Sequence, residues 1–112
     1  MDNEIKTWLY DILNAVMEIE SFFVGSSKEF TKYQNDIGTK RAVERNIEII
    51  GEAMSRVLKK DETILIANSR KIVDARNGII HGYDSLSDDF IWGIIVKHLS
   101  LLKHEIEKLL EK

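Results

Sequence analysis

Apolar residues return every three or four positions through most of this sequence, a period that suits one face of an α-helix and not the period of two of a β-strand. Ile5, Trp8, Leu9, Ile12, Leu13, Val16, Ile19 and Phe23 form the first stripe and predict a helix over residues 3–24, with Gly25 able to close it in the left-handed conformation. Ser26 and Glu29 have capping-box spacing and predict a short helix carrying Phe30 and Tyr33. Asn35 or Asp36 can cap the next long helix, where Val43, Ile47, Ile50, Met54 and Val57 step by four, three, four and three residues, ending near Lys59. Asn68 or Ser69 opens another helix bearing Ile72, Val73, Ile79 and Ile80, which should stop around His81 and Gly82. Ser87 is the best-placed cap for a last helix from Asp88 to near the C-terminus, with Ile91, Ile95, His98, Leu102, Ile106 and Leu109 on one stripe. No proline interrupts any of these segments. The pattern predicts an all-α, up-and-down four-helix bundle with an extra short helix, a single domain over residues 1–112.

Composition removes several classes of function. With no cysteine, a disulfide framework, a thiolate zinc site and a cysteine nucleophile are excluded. No apolar run approaches the ~18–20 residues of a membrane span. Asp2, Asn3 and Glu4 have the wrong charge for a secretory leader, so a cytoplasmic location is expected. The formal charge is −3, but between Lys40 and Arg76 nine basic residues face six acidic ones. A basic middle of this kind suits a polyanion; interleaved charges on solvated helix faces would give the same count.

Three histidines offer candidate chemistry. His98 and His104 fall inside the last amphipathic segment and suit packing or surface roles. His81 falls where a helix should end, with Arg76 and Asn77 upstream and Tyr83 two residues on. Asn77 and His81 are i,i+4 neighbours on one helix face. Imidazole titrates near neutral pH and can move a proton. Guanidinium grips two phosphate oxygens and stays charged as negative charge develops. Together they suit phosphodiester chemistry. No carboxylate or histidine pair has metal-ligand spacing, so no metal and no cofactor are expected.

The run Arg76-Asn77-Gly78-Ile79-Ile80-His81-Gly82-Tyr83 resembles the R-x4-H-x-Y motif of the HepT-like branch of the HEPN superfamily. Arg45-Asn46-Ile47-Glu48-Ile49-Ile50-Gly51-Glu52-Ala53 is similar to that family's second-helix signature, and Phe90-Ile91-Trp92 fits the start of its last helix. Gly78 departs from the commoner form, where a larger residue is usual. The resemblance implies an endoribonuclease toxin of a type VII toxin–antitoxin system, cutting RNA without a metal in a cleft where two motifs meet in a homodimer. It also implies an MntA-like nucleotidyltransferase antitoxin that silences the toxin by adenylylating the motif tyrosine. On this resemblance Arg76 would bind the scissile phosphate, His81 would serve as general acid or base, Asn77 would orient the imidazole or the RNA, and Tyr83 would receive AMP. The substrate could be tRNA or mRNA, and the toxin and antitoxin could assemble into a higher hetero-oligomer.

Two other readings of the same residues stand beside this one. Arg76 could pair with Glu52 or another carboxylate on the neighbouring helix, with His81 as a helix end and Tyr83 as a lid on the core. A HEPN domain can also be a non-catalytic module that binds nucleotide or a nucleotidyltransferase. The last helix bears on the dimer: Trp92, Ile94, Leu99 and Leu101 widen its apolar band beyond one stripe, as either a second interface or a broad core-facing side would require.

Overall fold

The computed structural model describes residues 1–24, 29–82 and 87–111. Six helices follow in order: α1 Asn3–Ser21, α2 Phe30–Asn35, α3 Ile37–Lys60, α4 Ser69–His81, α5 Asp88–Lys97 and α6 Leu99–Leu110. No strand occurs among the described residues, and the all-α architecture matches the helical period of the sequence. No described helix is long and apolar enough to cross a membrane.

Local chemistry sets most of the helix ends. The Asp2 carboxylate accepts hydrogen bonds from the Glu4 and Ile5 N–H groups at 2.8 and 3.1 Å. Asp36 caps α3 by accepting from the Thr39 N–H at 3.0 Å and its hydroxyl at 2.8 Å. Ser87 caps α5 by accepting from the Phe90 N–H at 3.2 Å. Each side chain satisfies N–H groups that the first helical turn leaves without a carbonyl partner. Gly82 closes α4 at φ +65°, a conformation that costs glycine little and other residues more.

Ion pairs fix how the helices run. Lys60, the last residue of α3, bridges Asp2 and Glu4 at the start of α1, so these two helices are antiparallel. Lys40 near the start of α3 meets Asp88 at the start of α5 at 2.8 Å, and Lys103 of α6 meets Glu20 near the end of α1 at 3.1 Å. Helix α3 lies between α1 and α4, and α6 packs on α1. The core between them holds Ile12 and Val16 of α1, Ile50 and Met54 of α3, Ile72 of α4, Ile94 of α5 and Ile106 of α6, all essentially fully buried. Burying such side chains contributes ~1.5–3 kcal/mol each.

Two boundaries differ from the sequence expectation. Helix α1 gives way after Ser21 to a tighter turn in which the N–H groups of Phe22 and Phe23 bond three residues back, both at 3.1 Å. The turn places Phe23 edge-on to Trp92, with ring centroids 5.8 Å apart, in a cluster completed by Phe30 and Tyr33. Gly25 and Ser26, the expected stop and cap, lie outside the described residues. The expected single last helix is two helices, meeting at His98 with φ −117° and ψ −25°. Ile94 and Leu99 would point about 140° apart on a straight helix at 100° per residue, yet both are buried. The break lets both reach the core, and the wide apolar band is largely consumed inside the chain.

Candidate active site

The C-terminal half of α4 carries the candidate residues, on a helix packed against α3. Arg76 is half-buried. Its Nη1 donates to Asn77 Oδ1 at 3.0 Å, and its Nε is buried without a hydrogen-bond partner among the described residues. No described carboxylate lies within ion-pair distance of its guanidinium. Glu52, the carboxylate that could have neutralised it, is instead bound by Arg56 at 2.8 Å within α3. Among the described residues the side chain is thus held by packing and one amide oxygen, with no carboxylate paired to its charge.

His81 is the last residue of α4 and is exposed, one turn beyond Asn77 and followed by Gly82. The helix therefore delivers a half-buried cation and an exposed imidazole five residues apart, at its C-terminal end. Asn77 gives its side-chain oxygen to Arg76; its observed contact orients the cation. Gly78, the departure from the commoner motif, is buried. Tyr83 lies outside the described residues. Of the other tyrosines, Tyr33 is buried in the aromatic cluster, where burial, with Glu44 and Asp88 nearby, pushes its phenol well above the usual value.

The basic stretch resolves into two kinds of charge. On α3, Arg41 pairs with Glu44 at 2.9 Å and Arg45 with Glu48 at 3.5 Å; Arg56 likewise engages its own helix, so these charges form a solvated, self-neutralised face. On α4, Arg70, Lys71 and Arg76 make no ion pair among the described residues, although Lys71 Nζ sits 5.6 Å from the Phe90 ring centroid. The cations of this stretch without an ion-pair partner among the described residues are therefore Lys59 near the end of α3 and the three on the helix with the motif.

The remaining histidines lie elsewhere. His104 is exposed on α6. His98 has its Nε2 buried without a partner, and burial, reinforced by Lys71 and Lys97, lowers its pKa below the ordinary histidine value. Among the described residues no three His, Asp or Glu side chains converge as a metal site would need. Gly51 of α3, facing Arg76, is the neighbour that motif spacing passes over. Its signal is a glycine on the packed side of a long helix, where glycine costs ~1 kcal/mol relative to alanine.

The chain is also similar to known proteins. A family model described as "Ribonuclease HepT-like" matches residues 12–109. Among curated proteins, Methanocaldococcus jannaschii "Putative RNase MJ1380" is 30% identical over 106 residues, covering 93% of this chain and 94% of that one. "Putative RNase MJ1216" of the same organism is 28% identical over 109 residues, covering 96% and 88%. No solved structure matches the chain.

Proposed function

Because the chain belongs to the ribonuclease HepT-like family, we propose that it cleaves RNA with Arg76 and His81 as its catalytic pair. The supporting observation is the state of Arg76: a half-buried guanidinium that no described carboxylate neutralises. An arginine kept for stability alone would be expected to meet a carboxylate, because a desolvated cation without one is costly. A phosphate supplies the missing negative charge and gains it further as the reaction proceeds.

In this reading the RNA 2′-hydroxyl oxygen attacks the adjacent phosphorus and the bond to the 5′-oxygen breaks. The products are a 2′,3′-cyclic phosphate and a 5′-hydroxyl. Arg76 holds the phosphate oxygens. With two copies of the motif lining one cleft of a homodimer, one His81 takes the 2′-hydroxyl proton and the other, protonated, supplies the departing 5′-oxygen. Two-fold symmetry places the motifs at equal distances from the axis. The exposed apolar side chain of Ile80, next to His81, suits such an interface. No metal takes part.

The wider setting follows the family resemblance. The protein is the cytoplasmic toxin of a toxin–antitoxin pair, and a nucleotidyltransferase partner transfers AMP from ATP to the Tyr83 hydroxyl, releasing pyrophosphate. The added phosphate would compete with RNA for Arg76. Purified protein incubated with labelled tRNA or mRNA in EDTA tests the core of the proposal: 2′,3′-cyclic phosphate ends are the expected product, and intact RNA contradicts it. Mass spectrometry after co-expression with the partner should map an AMP-sized increment to the peptide holding Tyr83; silencing without it would mean that the partner acts by occlusion.

A further inference from the structure

Gly51 packs against the root of Arg76 where α3 meets α4. A Cβ built on Gly51 would stand 2.9 Å from Arg76 Cγ, closer still to Arg76 Cβ, and 3.3 Å from the Ile72 carbonyl oxygen. The first two atoms are the root of the Arg76 side chain, which cannot swing aside as the tip of a long side chain could. The Ile72 contact would yield to a shift of a few tenths of an ångström. An alanine at 51 therefore acts chiefly on Arg76, by displacing α4 or twisting the arginine at Cβ.

Resting on the ribonuclease reading, we propose that Gly51 is a positioning residue for catalysis: its missing side chain is the seat on which the root of Arg76 is clamped. The clamp has two parts. Gly51 fixes where the side chain leaves α4, and Asn77 Oδ1 fixes one end of the guanidinium at 3.0 Å. Between them Nε is buried, so the aliphatic stem has little room to wander. The cation is held in place before RNA arrives, which is the condition under which a fixed charge lowers a barrier most. The other glycines with a described environment lack this relation. Gly93 of α5 would meet nothing within 4 Å, and Gly38 only the Asp36 carboxylate at 3.6 Å.

Single-turnover cleavage of a mixed-sequence RNA oligonucleotide by the full chain tests the proposal, using wild type, Gly51→Ala, Arg76→Gly and the double variant, with Gly93→Ala as a control. Gly51→Ala is expected to lower the maximal rate by about 10²-fold, the scale of a 1 Å misplacement, with half-saturation by RNA unchanged. In the Arg76→Gly background, which removes both Arg76 atoms that the new Cβ would strike, the same change should cost nothing further, because residues that act as one unit are not additive. Equal slowing in both backgrounds, or a wild-type rate for Gly51→Ala, would overturn the clamp. The Arg76 Nε–H resonance gives a readout independent of activity, expected to be slowly exchanging in wild type and exposed in Gly51→Ala. If the wild type cuts no RNA, the ribonuclease reading fails alone, and an Nε–H signal unmoved by Gly51→Ala overturns the clamp separately. Should Gly51→Ala not fold, the Gly51→Ala/Arg76→Gly protein decides: regained helicity assigns the clash to the Arg76 side chain, and persistent unfolding overturns it.

Discussion

The outer face of α3 and the contact between α3 and α4 use arginine in opposite ways. On the outer face Arg41, Arg45 and Arg56 are exposed, and each reaches a glutamate three or four residues away on its own helix. Such pairs cost little to form and contribute only ~0.2–0.5 kcal/mol. At the contact Arg76 is half-buried, rooted against a glycine, held by an amide and without a carboxylate partner among the described residues. Net charge alone cannot separate these two kinds of cation. The first kind is neutralised before any ligand arrives, while the second has an amide for its described partner.

That contrast breaks most readily at the motif. His81→Ala should slow RNA cleavage by ~10²–10⁴-fold, the usual cost of a lost general acid–base, with the circular dichroism of the helices unchanged. Arg76→Ala should cost ~10²–10³-fold, and Arg76→Lys should recover little of it because an ammonium lacks the planar fork; cleavage assays across the series check both. If Arg45→Ala slowed cleavage as much as Arg76→Ala, the distinction between the two regions would collapse.

Smaller effects sharpen it. Gly93→Ala should stabilise the fold by ~0.5–1 kcal/mol in urea titration, since alanine is the better helix former and nothing crowds the new Cβ. His98 should make stability depend on pH. Its folded-state pKa lies below the ordinary value, so the unfolded chain binds the proton first. The His98 contribution is complete above about pH 6.5 and is lost as pH falls from there towards its folded-state pKa. Melting temperatures between pH 7 and pH 5 should therefore fall less in His98→Gln than in wild type. The least consequential change should be Glu48→Gln, which removes the 3.5 Å partner of Arg45 and should shift stability by no more than ~0.5 kcal/mol.

What could be read from the sequence depended on whether its cause was local. Asp36 and Ser87 cap their helices, and Gly82 ends α4, because caps act over three residues and need no tertiary information. The break at His98 and the tightened end of α1 are set by what Leu99 and Phe23 must reach across the bundle, and a periodicity of single stripes does not contain that. At the site, the spacing of Arg76 and His81 was legible as chemistry on one helix end. That Glu52 pairs with Arg56 on its own helix, and that Asn77 serves the arginine, are choices of partner that spacing alone does not decide. The demand on Gly51 is of the same kind, since a glycine shows its purpose only when the opposing atoms are known.

Cleavage of RNA by wild type and by the Arg76→Ala and His81→Ala proteins, measured side by side in EDTA with the product ends identified, tests the central claim most directly. The account predicts 2′,3′-cyclic phosphate ends from the wild type and a loss of at least ~10²-fold in both variants, with all three equally helical. Wild-type rates in either variant would contradict it.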